Sequence, residues 1–320
     1  MKLKIILLFL PLLLSVISCS KDETGPKPQP EKMYQGALHI ESQDELETIG
    51  KANYAKINGE LILSGDDITD VSSLGSLRYI YGDLTITATK LTNIDALAKV
   101  RLPEGGTVRV LNNSVLKNLN GLASLDVALF SLDIHGNTQL ENIDGVRGVK
   151  GITGGIMISS SDKLLNLNGL ANISGDVKSL IIQSNTSLTD ISGLSKVTKA
   201  TDLALTGNSE LTTLNGLHNL KEVRSLFLEG NNKLEDLNGL SELETCLKLT
   251  IHRNINLKHL SGLSKLRKVD DGQMRITENP SLKDFCGLQP IAQISLIGYN
   301  IRDNFYNPSK DQIKEGQCSI

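Results

Sequence analysis

The sequence predicts a mainly β protein, a solenoid of about ten coils with short capping helices at both ends. Three observations predict it. A phrase of two apolar residues around one variable position, then Asn, Leu, a second apolar residue and Gly-Leu or Gly-Val, returns eight times. Leu203-x-Leu205-x-x-Asn208-x-x-Leu211-x-x-Leu214-x-Gly216-Leu217 is one copy. A phrase repeated at fixed spacing is one supersecondary unit stacked many times. The first apolar residue of each copy falls at Leu61, Leu84, Val108, Leu132, Ile156, Leu180, Leu203, Leu226, Leu249, Met274 and Ile294. From Leu61 to Met274 this is a mean period near 23.7 residues. Within each copy the apolar-variable-apolar alternation has period two, which makes a short strand with one face inward. No copy sustains a 3.6-residue period, so long helices are not expected on the outer side.

The chain opens on export chemistry. Lys2 and Lys4 precede an apolar run, Ile5 to Ile17, too short to span a bilayer comfortably and suited to a signal-peptide core over residues 1–18. The run ends Val16-Ile17-Ser18-Cys19. This resembles the lipobox of bacterial lipoproteins, which implies cleavage before Cys19 and lipid attachment to its thiol. An ordinary secretory signal would leave Cys19 incidental, but Ser18 before Cys and Val16 three before it favour the lipid reading. Ser20-Lys21-Asp22-Glu23 looks like the tag that sends Gram-negative lipoproteins to the outer face of the outer membrane; a periplasm-facing anchor is the alternative. Residues 19–35 then form a tether, with Pro26, Pro28 and Pro30 among Lys, Glu and Gln, a composition that cannot bury a core.

Residues 36–56 read as an N-terminal cap. Ser42-Gln43-Asp44-Glu45 has the form of a capping box opening a helix with Leu46 and Ile49 on one face. The coils follow over 57–301. Asn113, Asn137, Asn185, Asn208, Asn231, Asn254 and Asn279 mark one corner of successive coils, with Ser161 standing in once. A side-chain amide donates and accepts, so stacked Asn can serve backbone groups freed at a corner. Gly121, Gly145, Gly169, Gly193, Gly216, Gly239, Gly262 and Gly287 mark a bend, which implies positive φ or close approach of neighbouring coils.

The pattern is similar to the receptor L-domain class of leucine-rich solenoids. Ile57-Asn58-Gly59-Glu60-Leu61-x-Leu63 and Ile80-Tyr81-Gly82-Asp83-Leu84-x-Ile86 match that class's entry into a strand. The resemblance implies a right-handed leucine-rich-repeat (L-domain-like) β-solenoid and a role in binding, without naming a ligand.

Residues 302–320 read as the second cap, where Asn307-Pro308, Asp311, Ile313 and Gly316 suggest a helix with a Gly stop. Cys286 in the last full coil and Cys318 beyond the helix are positioned to form a disulfide, which an exported protein permits. Cys246 aligns with Val223, an inward position, and reads as a free buried thiol.

Function is narrowed mainly by what is missing. A net charge of -3 argues against nucleic acid, and 3% aromatic residues with no Trp leave little for stacking on bases or sugars. There is no phosphate-binding Gly-rich loop, no zinc spacing and no nucleophile elbow, so no cofactor, metal or catalytic residue is expected. His135 and His252 are expected on the outward strand face, and Glu229 beside His252 as a surface ion pair or, for a polysaccharide-active enzyme, an acid–base couple. The variable strand column reads Thr85, Arg109, Asp133, Met157, Ile181, Ala204, Phe227, Thr250, Arg275 and Ser295. Met157, Ile181, Ala204 and Phe227 would form an apolar stripe rimmed at one end by Arg109 and Asp133, and at the other by Thr250 and Arg275. The expectation is a non-catalytic, lipid-anchored surface protein whose partner is a protein or a glycan.

Overall fold

The computed structural model describes residues 31–269, 273–293 and 299–320. The signal segment, Cys19 and most of the tether lie outside them, as do Ile294 and Ser295. Residues 31–320 form one compact unit that contains all of the described core.

The first elements are β1 (Met33–Gln35), β2 (Leu38–Ile40), helix α1 (Gln43–Lys51), β3 (Lys56–Asn58), β4 (Leu61–Ser64), β5 (Tyr79–Ile80), β6 (Leu84–Thr87) and β7 (Thr107–Leu111). Longer strands follow: β8 (Ala128–His135), β9 (Gly151–Ser159), β10 (Gly175–Gln183), β11 (Val197–Thr206), β12 (Glu222–Glu229) and β13 (Thr245–His252). The chain closes with β14 (Gln273–Thr277), α2 (Gln289–Ala292), β15 (Tyr299–Arg302) and α3 (Lys310–Lys314). Among the described residues the protein is mainly β, with few helices. Twelve strands make one parallel sheet, each beside its predecessor from β2 through β4 and β6 to β15, while β1, β3 and β5 make a second, smaller parallel sheet. All pairs are parallel because each repeat uses its remaining residues to return to the same end of the sheet.

The return is made through short 3-10 turns such as Asn215–Leu217 and Asn238–Leu240, which neighbour one another in successive repeats. Apolar side chains from strand and turn fill the interior: Leu203, Leu205, Leu211, Leu214, Leu217 and Leu220 of one repeat are all buried. At about 1.5–3 kcal/mol for each buried Leu, this repeated set is the main driving force for folding.

The two ladders resolve differently. Each Asn is buried and donates Nδ2–H to a strand carbonyl of the preceding repeat, as Asn208 does to Ile182 O at 2.9 Å and Asn231 to Leu205 O at 2.9 Å. Its Oδ1 accepts the backbone N–H of the preceding Asn, so Asn185 donates to Asn208 and Asn208 to Asn231, both at 3.2 Å. The ladder runs one rung further than the sequence reading placed it, through Asn304, which bonds Ile276 O at 2.9 Å. The residue before a ladder position turns left-handed whether or not it is Gly: Asn112, Ser184, Gly207, Arg253 and Glu278 all have positive φ. The Gly ladder, by contrast, reflects close approach, since these residues do not have positive φ. A Cβ at Gly239 would lie 1.9 Å from Leu214 O of the preceding repeat.

Both ends depart from expectation. The large sheet begins inside the segment read as a cap, because Leu38 and Ile40 pair with Leu61 and Leu63. Helix α1 therefore belongs to the first repeat, where it packs against the turn Ser72–Leu74. Ser42 Oγ accepts from Glu45 N at 3.3 Å, but Glu45 returns its carboxylate to Glu41 N at 2.9 Å instead of to Ser42. At the far end Met274 pairs with Tyr299 and Arg275 with Asn300, so Asn300 takes the column position given to Ser295, which with Ile294 lies outside the described residues. Helix α3 is capped by Ser309 and Gln312, and Gly316 has φ +86°.

The Cys286–Cys318 disulfide is present and closes a loop of 32 residues. Its chain-entropy contribution is about 3–4 kcal/mol. It fastens the C-terminal tail beneath the last turn, where Phe285 N also bonds Cys318 O at 2.8 Å. Cys246 is free and buried, and burial pushes its thiol up to about 12.

Candidate functional site

The parallel register brings the sequence-predicted stripe together. Arg109 faces Asp133, Asp133 faces Met157, Met157 faces Ile181, Ile181 faces Ala204 and Ala204 faces Phe227, on strands β7 to β12. Their strand neighbours point the other way: Leu132, Ile156, Leu180, Leu203 and Leu226 are buried. Met157 is 39% exposed and Phe227 40%, with Ile181 and Ala204 half-buried between them. Three strand spacings of about 4.8 Å make the stripe about 15 Å long. Ser131, Gly155 and Ser179 form the neighbouring outward column, so one flank of the stripe is low.

The ends of the stripe differ in chemistry. Arg109 is held by Asp83 Oδ2 at 3.2 Å and approaches Asp133 Oδ2 at 3.8 Å, so these charges largely satisfy each other. Beyond Phe227 lies a hollow of about 370 Å³, walled by Phe227, Thr250, Lys248, Arg275 and Asn300. There Arg275 Nε donates to Thr277 Oγ1 at 3.2 Å. The apolar stripe thus runs from an ion cluster of one guanidinium and two carboxylates to a basic hollow.

His252 corrects the sequence reading. It does pair in register with Glu229, but it is buried instead of outward-facing, with Nδ1 at 2.9 Å from Thr277 Oγ1 and 3.1 Å from Thr277 O. Its nearest carboxylate contact is Glu278 Oε1 at 4.0 Å, and Glu278 is itself engaged by Arg253 Nε at 2.8 Å. That hydrogen bond lowers the Glu278 carboxyl below the usual range. Thr277 on the next strand and Glu278 beyond it stand against the imidazole and cover it. His135, in the same column, is exposed and bonds Ser159 Oγ at 2.8 Å. Among the described residues no group of three or more His, Cys, Asp or Glu is placed to hold a metal ion.

A second cleft escaped the sequence reading. Strands β10 to β13 extend upstream of the repeated phrase, and Val177, Ala200, Val223 and Cys246 continue the inward face. Between them the outward residues line an open cleft of about 670 Å³, with Lys178, Thr201, Arg224 and the Lys199–Glu222 pair at 3.0 Å. The signal was a second run of period-two alternation ahead of the marker residue, Asp176-Val177-Lys178 and Glu222-Val223-Arg224.

Neither the protein-family models nor the curated proteins give a match to this chain. Functional inference therefore starts from the strand face itself.

Proposed function

We propose that the chain is a right-handed, leucine-rich-repeat (L-domain-like) β-solenoid, carried as a lipid-anchored lipoprotein at the outer membrane and facing outward. In this reading it is non-catalytic and binds a protein partner through the strand face. The observation that carries the proposal is the alignment of Met157, Ile181, Ala204 and Phe227 on four adjacent strands, exposed at both ends of the run. A contiguous apolar patch beside polar groups is the usual form of a protein interaction site. The strands that present it are held by ladders on both sides, so binding would not have to offset a large ordering cost. The anchor is supported by Val16-Ile17-Ser18-Cys19 and by the Pro-containing tether behind it. Addition of strands one by one in sequence order, with a shared Asn ladder, supports the solenoid.

A glycan partner gains less support. Tyr299 and Tyr306, at the last strand and just beyond it, spend their hydroxyls on Pro308 O and Gln317 O. Catalysis gains less as well, because His252 is buried and its Nδ1 is occupied by Thr277.

The test is paired capture. The chain from Ser20 onward, immobilised with and without Phe227→Asp and Ile181→Asp, is offered host and envelope proteins. The wild-type chain is expected to retain a partner that the double variant loses by at least about tenfold, since two buried apolar contacts at about 1–2 kcal/mol each disappear. Both positions are solvent-facing, so the melting temperature is expected to move by less than about 2 °C. Equal capture by both proteins would remove the stripe as the site.

A further inference from the structure

We propose that the end of the protein nearest the tether carries a basic, tyrosine-bearing face that seats on an anionic lipid surface. The face is built by the first repeats. Lys56 in β3, Arg78 and Tyr79 at β5, and Lys99 and Arg101 in the next repeat line one open hollow of about 410 Å³, whose only other lining residue is Ser124. Four cations and no carboxylate line it, although the whole chain has a net charge of -3. Backbone register produces the clustering: Arg78 N bonds Ala55 O, Arg101 N bonds Arg78 O, and Arg101 bridges Tyr79.

The cations differ in what they are free to do. Lys56 is held by Glu31 at 2.7 Å. Arg78 donates one Nη to Gly75 O at 2.7 Å and Leu77 O at 2.8 Å, which fixes its guanidinium on the surface. Lys99 and Arg101 are exposed, and among the described residues their side chains have no hydrogen bond or ion pair. Two like charges kept side by side without a counter-ion are a cost in an isolated protein, and the cost is removed by a polyanionic surface.

Aromatic placement points to a lipid surface more than to a soluble anion. Four of the six tyrosines lie here. Tyr81 stacks on Tyr79 at 4.4 Å and is 47% exposed, while Tyr34 in β1 meets Tyr54 edge-on at 5.4 Å with Lys32 Nζ 4.8 Å above the Tyr54 ring. Tyrosine has an apolar body and a polar tip and is favoured at headgroup level. The covalent path agrees, because twelve residues, Ser20 to Glu31, separate Lys32 from Cys19. Extended at about 3.1 Å per residue they reach no more than about 40 Å. A face seated on lipid would hold the protein in one orientation. The source of the lipid rests on the anchored reading above, but the surface chemistry does not.

The test uses the unacylated chain from Ser20 onward, so it is independent both of Cys19 lipidation and of partner capture by the stripe. Sedimentation is measured with phosphatidylcholine vesicles and with vesicles containing about one-third phosphatidylglycerol. Binding is expected only to the anionic vesicles, and is expected to fall steeply between 50 and 300 mM salt, as the Debye length shrinks from about 14 Å to about 6 Å. Lys99→Glu with Arg101→Glu should weaken it by about tenfold or more, and the milder Lys99→Ala with Arg101→Ala by a smaller factor. Lys178→Glu with Arg224→Glu makes the same change in net charge on the strand face and should leave binding unchanged. Equal binding to both vesicle types, retention in the Lys99/Arg101 variants, or an equal loss in the Lys178/Arg224 variant would overturn the proposal. Full competition by inorganic phosphate at constant ionic strength would also overturn it, by making the hollow a small-anion site.

Discussion

Gly239→Ala is expected to destabilise the protein by about 3 kcal/mol or more, measured by urea unfolding, or to prevent its accumulation as a folded species. The added Cβ would meet Leu214 O at 1.9 Å, Leu214 C at 2.1 Å and Leu214 Cβ at 2.7 Å. The first two are backbone atoms of the preceding repeat, and they cannot rotate away as a side-chain tip could. Relief requires adjacent turns to separate, and separation breaks the contacts that make the array cooperative. Gly151→Ala is the control. Its Cβ would find nothing closer than Ala128 Cβ at 3.9 Å, and its φ is ordinary, so it should be neutral or slightly stabilising. If the two substitutions cost the same, the turns are not in close contact.

The second large effect belongs to the Asn ladder. Asn208→Leu keeps the volume roughly constant and removes four hydrogen bonds: Nδ2 to Ile182 O at 2.9 Å and to Asn231 Oδ1 at 3.5 Å, and Oδ1 from Asn185 N at 3.2 Å and from Asn185 Nδ2 at 3.3 Å. The site is buried, so water cannot replace them. With about 1–3 kcal/mol for each buried polar group left unpaired, a loss of about 3–5 kcal/mol is expected. An equilibrium melt measures it. Asn208→Ser should cost less, because the protein already carries Ser161 at one rung, where the buried hydroxyl donates to Ser159 O at 3.4 Å. A Leu variant as stable as wild type would mean that the ladder is decorative.

The parts that were legible in the sequence are those fixed by short-range repetition. Alternation around Leu203 and Leu205 set the inward and outward faces, and the repeat length then determined which residues become neighbours. That is why Met157, Ile181, Ala204 and Phe227 could be aligned before any coordinates. Cys286 and Cys318 could be paired because each occupies a unique position at the same end of the array. The misses have local causes. His252 has the alternation of an outward residue, but Thr277 and Glu278 of the next repeat stand against its ring, and a neighbour's cover is not written in the residue's own copy. The start of the array was hidden because β2 has only three residues and α1 replaces the short turn used elsewhere. The last strand was misplaced because Ile294 and Tyr299 both satisfy an apolar pattern, and only pairing with Met274 chooses between them. The basic face was missed because Lys56, Arg78 and Arg101 stand at drifting distances before the markers Leu61, Leu84 and Val108, so no fixed column aligns them.

Thiol mapping of the strand face tests the central claim most directly, which is that the side chains of each strand alternate between solvent and core in a common register. Cysteine is placed singly at Met157, Ile181 and Phe227, and at Leu180, Leu203 and Leu226, and each folded protein is treated with a maleimide. Cys246 supplies the background, and its burial and raised pKa keep it silent. The account predicts rapid labelling at 157, 181 and 227, and protection at 180, 203 and 226 until the protein is unfolded. Labelling of the second set in the native protein, or protection of the first, would contradict it.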